Sequence, residues 1–214
     1  MELNPKETAL VLIEFQNDFT SEGGIFYGAV KGVMEHNHML QNTVDTVRAA
    51  RQAGISIVFV PISFTQDYHE ITSKPYGIMK GVIDNGAFKK DTWGTEMVDV
   101  LTPEKGDIII EGKRSFCAFA STNLDYILRS TGVKNIVLAG YLTNCCVEST
   151  MRTAYDKGYQ VITLTDCCAT LSQAEHDNAL TSDFPMFSQP MLHSEFISIV
   201  KHDRELELKG KGYE

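Results

Sequence analysis

Ile136-Val-Leu-Ala-Gly140-Tyr-Leu-Thr-Asn-Cys145-Cys-Val-Glu-Ser-Thr150 reads as a short apolar strand, a turn at glycine and the start of a helix. Strand followed directly by helix is the unit from which parallel sheets are built. A cysteine stands where the helix begins. Helix N-termini present unpaired N–H groups and a partial positive charge, which bias a thiol toward thiolate. The position suits a nucleophile, and equally a cysteine packed into a strand–helix junction. Cys145 and Cys146 compete for the role, and Thr143 or Asn144 is placed to cap the helix.

Working outward, apolar runs recur at Ala9–Glu14, Ile55–Val60, Ile108–Glu111, Ile136–Gly140 and Val161–Thr165. Helical spacing appears between them: Leu40, Val44 and Val47; Leu124, Ile127 and Leu128; Val147, Met151 and Ala154. Gly54 and Gly158 follow two of these helices as C-terminal caps and lead into strands. Near-continuous apolar strands alternating with helices imply a parallel sheet covered on both faces, with ligands beyond the carboxyl ends of its strands. Glu14, the Glu111–Lys113 junction and the Gly140–Cys146 turn then share one edge.

The 214 residues suit a single domain with a substantial core, and 43% hydrophobic against 22% charged residues is ordinary for a globular protein. A net charge of −9 argues against nucleic acid or an anionic membrane as partner. No apolar stretch has the length of a membrane span, and the polar start Met-Glu-Leu-Asn-Pro-Lys-Glu lacks a signal-peptide core, so a cytoplasmic location is expected. Five cysteines, an odd number, fit free thiols, and the pairs Cys145/Cys146 and Cys167/Cys168 lack zinc-site spacing. The segment 61–91 has no clean periodicity and several prolines and glycines, as expected of a lid or binding loop. The tail after Lys201 reads as a solvated terminus or an oligomer contact.

Three groups at that edge carry chemistry. Glu14 follows an apolar strand, where a carboxylate either works or simply meets solvent. Lys113 can depress a neighbouring thiol's pKa, and Arg114 beside it offers the same charge. The residues alone leave Lys113 against Arg114 open.

Three segments, Leu-Ile-Glu-Phe-Gln-Asn-Asp-Phe19, Lys113-Arg-Ser-Phe-Cys-Ala-Phe-Ala-Ser-Thr-Asn-Leu124 and Gly140-Tyr-Leu-Thr-Asn-Cys-Cys-Val-Glu-Ser-Thr150, stand in order at strand ends. With them the chain resembles the isochorismatase-like cysteine hydrolases over roughly Thr8 to Ala169. The resemblance implies a three-layer αβα, doubly wound, mostly parallel six-stranded sheet in a single domain. It further implies an acid–lysine–cysteine triad of Glu14, Lys113 and Cys146, which sets aside Arg114 and Cys145. A cis peptide is implied at Tyr141–Leu142, directing the N–H groups of Leu142 and Cys146 into an oxyanion hole. Where the family has aspartate this chain has Glu14, whose extra methylene moves the carboxylate by about one C–C bond. Misplacement of about 1 Å costs about a hundredfold in rate, so either the loop compensates or activity is poor.

Nicotinamidases of this family resemble one another in an Asp-x-His cluster with a further histidine. Here Asp67-Tyr-His69 has no following histidine before His176, and a catalytic metal ordinarily needs three protein ligands. No metal, no cofactor and no nicotinamidase activity are expected. Phe19, Phe119 and Tyr141 flank the motifs and are expected in the substrate pocket, with Trp93 a further candidate. His36, His38, His176 and His193 read as surface histidines. The implied function is covalent hydrolysis of a C–N bond in a small amide or ureido compound. Its rivals are vinyl-ether hydrolysis of an isochorismate-type substrate and a catalytically weak binding protein on the same fold. A homo-oligomer, dimer or tetramer, is expected from the resemblance.

Overall fold

Every residue of the first strand, β1 (Thr8–Ile13), is buried, and its side chains divide by parity between two cores. Leu10 and Leu12 join one, Ala9, Val11 and Ile13 the other, as the two-residue period of a strand requires. The computed structural model describes residues 3–210, and the side chains of residues 3–202. Five further strands follow: β2 (Ser56–Val60), β3 (Ile108–Ile109), β4 (Asn135–Tyr141), β5 (Gln160–Ala169) and β6 (Gln189–Met191). All pairings are parallel, in the order β3-β2-β1-β4-β5-β6. The expected three-layer sheet is therefore present, and wholly parallel.

Helix α1 (Asn17–Thr20) follows β1, and α7 (Gln173–Asn178) follows β5. On the Leu10 face lie α2 (Tyr27–His36), α3 (Met39–Ala53) and α9 (His193–Gly210), contributing Val33, Val47 and Phe196 to the core. On the opposite face lie α5 (Leu124–Ser130), α6 (Glu148–Asp156) and α8 (Phe184–Phe187), contributing Leu128, Met151 and Phe184. The three predicted apolar stripes fall on α3, α5 and the stretch through α6. Gly54 (φ 79°) ends α3, with the N–H of Ile55 returning to the Ala50 carbonyl at 3.0 Å. Gly158 (φ 84°) ends α6 in the same way, Tyr159 N–H donating to Ala154 at 3.1 Å.

Three elements differ from expectation. Strand β5 runs to Ala169, so the Cys167/Cys168 pair is buried in the sheet; all five cysteines are free. Strand β6 gave no apolar run because it is three residues at the sheet's edge and includes Pro190. The segment 61–91 holds a helix, α4 (Gly77–Asn85), short and carrying two glycines, Gly77 and Gly81, which are poor helix formers. The suggested role of the tail after Lys201 falls largely on side chains outside those described. Among the described residues no helix is long and apolar enough to cross a membrane.

The strand order reverses between β1 and β4, and there the carboxyl ends leave a cleft. Ile13 pairs with Gly140 at that point, and Gly140 has φ 138°. A Cβ on Gly140 would stand 2.1 Å from the Ile13 carbonyl oxygen. Gly140→Ala is expected to cost about 2–5 kcal/mol through backbone strain and overpacking, seen as a lower urea midpoint at unchanged slope. An unchanged midpoint would contradict this close approach.

Candidate active site

Glu14 is the first residue beyond β1. Its φ of 60° is uncommon for a side chain of this size, and its N–H donates to the Val60 carbonyl at 3.1 Å. That reversal turns the carboxylate into the protein, 2% exposed. Lys113 follows the β3 edge at 0% exposure, and its Nζ donates to Glu14 Oε1 and to the Ser115 carbonyl. Cys146, 5% exposed, lies in a single π-helical turn, Thr143–Val147, directly ahead of α6. The Cys146 carbonyl accepts from Thr150 Oγ1 at 2.7 Å, and that hydroxyl accepts from the Ala118 N–H at 2.9 Å. Thr150 thus ties the cysteine turn to the segment carrying Lys113. The Tyr141–Leu142 peptide is cis.

Burial alone would strip Lys113 of its proton, but the Glu14 carboxylate and the Cys146 sulfur outweigh it and leave the ammonium above its ordinary pKa. The Cys146 thiol is pushed well up by its interaction with the adjacent Cys145 thiol, by burial and by the Glu14 charge; Lys113 opposes these. The same interaction lowers Cys145. Charge alone thus favours thiolate on Cys145, whereas position favours Cys146. Cys146 lines the cavity with Glu14 and Leu142, and Cys145 is not among its lining residues.

The cavity has a volume of about 140 Å³. Phe19, Phe26, Phe88 and Phe116 wall it, with Ile62, Leu142 and Leu171. From α4 come Ile78, Met79 and Val82. The segment expected to be a lid thus contributes a wall of the cavity through helical spacing.

Of the expected aromatic contacts, Phe19 lines the cavity. Tyr141 does not: wholly buried, it stacks on Phe19 at 5.0 Å and donates to Met34 Sδ at 2.9 Å, so it backs the wall. Phe119 points away to Tyr159, 6.0 Å between centroids, while Phe116, three residues earlier, fills the place. Trp93 is 49% exposed, and it is its carbonyl that serves the site, accepting from Asn17 Nδ2 at 3.0 Å. Arg114 reaches Glu70 at 3.3 Å and not the thiol. Burial raises Glu70, but hydrogen bonds from Thr65 and the Arg114 charge win, holding it ionised down to about 2.

The capping expectation for Thr143 and Asn144 also fails. Neither caps a helix: Thr143 Oγ1 pairs with His176 Nδ1 at 2.8 Å, and Asn144 Oδ1 accepts from Thr170 at 2.7 Å. His176 is therefore no surface histidine. It is buried, which lowers its pKa, and its Nε2 accepts from Asn37 at 3.1 Å, leaving the proton on Nδ1 toward Thr143. His193 Nδ1 likewise pairs with Asp166 at 2.5 Å. Asp67 and His69, both exposed, pair with each other at 2.7 Å. Among the described residues no three His, Cys, Asp or Glu side chains group as metal ligands.

Two positioning residues in the first motif escaped sequence reasoning. Gln16 bonds the backbone of Ile62 in both directions at 2.8 Å, in place of a strand partner. Asp18 accepts from the N–H groups of Ile25 (3.2 Å) and Phe88 (2.7 Å), and Gly94 packs so closely that a Cβ there would meet its carboxylate at 2.4 Å. Together they pin three cavity-bearing loops. The available signal was a run of polar residues directly after a wholly apolar strand.

By fold, the chain is a three-layer αβα protein of a kind already solved. It superposes on a cysteine hydrolase from Pseudomonas syringae pv. phaseolicola 1448A with TM-score 0.83, at 24% identity over 95% of this chain and 96% of that one. It likewise superposes on N-carbamoylsarcosine amidase from Thermoplasma acidophilum with TM-score 0.69, at 24% identity over 87% and 96%. Residues 8–195 match the Isochorismatase domain model, and the chain belongs to the isochorismatase family. Among its relatives is the ureidoacrylate amidohydrolase of Rhizobium rhizogenes, 31% identical over 77% of this chain and 71% of that protein. That of Acinetobacter baylyi is 28% identical over 96% and 89%.

Proposed function

We propose that the protein hydrolyses a C–N bond of a small amide or ureido compound through an acyl-enzyme on Cys146. As a family member with ureidoacrylate amidohydrolase relatives, it is a hydrolase of non-peptide C–N bonds. The observation that carries the finer reading is one cavity lined by both Cys146 and Glu14, with Lys113 bonded to the carboxylate behind it.

Glu14 takes the thiol proton as the Cys146 sulfur bonds to the substrate carbonyl carbon. Lys113 fixes Glu14 Oε1, leaving Oε2 to accept that proton, and its charge favours the thiolate. The N–H groups of Leu142 and Cys146 hold the oxyanion of the tetrahedral adduct. The C–N bond then breaks, Glu14 returning the proton to the departing nitrogen. Water attacks the thioester while Glu14 takes its proton, and the C–S bond breaks to release the acid and restore the thiol. Intact-mass detection of an acyl adduct on Cys146 during turnover tests this. Turnover with no adduct under rapid quench favours direct attack by water on the carbonyl, with no acyl-enzyme.

Glu14→Asp separates the hydrolase from a weak binding protein. Here Glu14 already reaches Lys113, so shortening it withdraws the carboxylate by about 1 Å and is expected to lower kcat about a hundredfold. A rise in kcat would instead mean that glutamate disables an aspartate site.

A further inference from the structure

We propose, resting on the amidase reading above, that the substrate is a small uncharged amide whose acyl side chain is apolar and no larger than about a benzene ring. Among the described residues, the cavity that Cys146 opens into carries a single charged lining residue, Glu14, and that residue is negative. Its other walls are aromatic and aliphatic, with Phe19, Phe88 and Phe116 facing Met79 and Leu171. An apolar cavity of about 150 Å³ accommodates benzene. This one, at about 140 Å³, matches an acyl side chain of four to seven carbons by that measure.

An anionic substrate, such as a ureido acid, would bury its carboxylate beside Glu14 with no cation in the lining. Two positive groups lie close by, and both are engaged. Lys113 is bound to Glu14 and to the Ser115 carbonyl, wholly buried. Arg114 stands beyond Phe116 and pairs with Glu70 at 3.3 Å. Burying an ion without a partner is strongly unfavourable, so the site selects against the charge as much as for the apolar surface.

The test is an isosteric pair: 4-methylpentanamide, and succinamate, in which a carboxylate replaces the terminal isopropyl group. Each would be cleaved to ammonia and the corresponding acid. At pH 7 kcat/KM for 4-methylpentanamide is expected to exceed that for succinamate about a hundredfold or more. Arg114→Gln is expected to leave this ratio unchanged within about threefold, the scatter of a remote substitution. Equal or reversed preference overturns the proposal while leaving the amidase reading intact, and a succinamate activity lost in Arg114→Gln would identify the cation responsible. If neither compound is hydrolysed and no acyl adduct forms, the amidase reading fails separately. The cavity's preference is then read as a thermal shift of the wild-type protein by each compound. A shift with 4-methylpentanamide alone upholds the apolar assignment; equal shifts, or none, overturn it.

Discussion

Cys146→Ala is expected to lower kcat by about 10⁴-fold or more, on the scale of nucleophile deletion in hydrolases that act through covalent intermediates. The protein should fold normally. The hydrogen bond that ties this turn to Thr150 uses the Cys146 carbonyl, which alanine keeps. Removing one buried sulfur leaves a small void, for a loss of about 1 kcal/mol. The informative comparison is Cys145→Ala, expected to retain activity within about tenfold, since only the cavity-lining thiol reaches substrate. The reverse pattern would transfer the nucleophile to Cys145, whose interaction with the adjacent Cys146 favours thiolate. Steady-state kinetics of both variants, with circular dichroism to verify folding, decide between them.

Lys113→Met is expected to cost about 3–5 kcal/mol of stability, together with most of the activity. The pair it breaks is almost wholly withdrawn from water, so the variant leaves the Glu14 carboxylate buried without its cation. The pH at which this is measured matters. Lys113 is raised above the ordinary lysine value of 10.5, so its contribution is complete below that pH and is lost only as pH rises through the still higher folded value. Urea unfolding of both proteins at pH 7 therefore reads the full cost. A double variant, Lys113→Met with Glu14→Leu, removes both ions and is expected to recover much of the stability while remaining inactive. A single variant as stable as wild type would show that the pair does not hold the site together.

The activity of this site is best understood as a small charged group set in an apolar wall. Glu14, Lys113 and Cys146 come from three different strand ends: the Val60 carbonyl holds the Glu14 N–H, Glu14 and the Ser115 carbonyl hold Lys113, and Thr150 holds the Cys146 carbonyl. Gln16 and Asp18 complete this arrangement by fastening the surrounding loops. Their bonds to Ile62, Ile25 and Phe88 make loops of very different sequence position into one cavity. The cavity's shape is thus set in part by two residues, Gln16 and Asp18, that do not line it.

Legibility from sequence followed the range of the forces involved. Strands β1, β2 and β4 were readable because residues buried on both faces must be apolar throughout, and α3 and α6 because one face of each meets a core. Gly54 and Gly158 were readable because a left-handed cap favours glycine whatever surrounds it. Strand β6 and helix α4 were not, one being a short edge strand with proline and the other a short helix carrying two glycines. The three ordered motifs pointed to Glu14, Lys113 and Cys146, and nothing in spacing distinguished Phe116 from Phe119 as a cavity wall.

The sequence by itself determined the parallel αβα class and the strand ends at which chemistry can occur. Both follow from local periodicity and from the rule that ligands meet such sheets beyond their carboxyl edge. Tertiary structure alone decided which groups touch. It gave Glu14 to Lys113 and Arg114 to Glu70, drew His176 inward to Thr143, and turned Phe116 rather than Phe119 toward Cys146. Those outcomes depend on side-chain direction at the ends of elements far apart in the chain, where backbone geometry and packing, not residue type, set the contact.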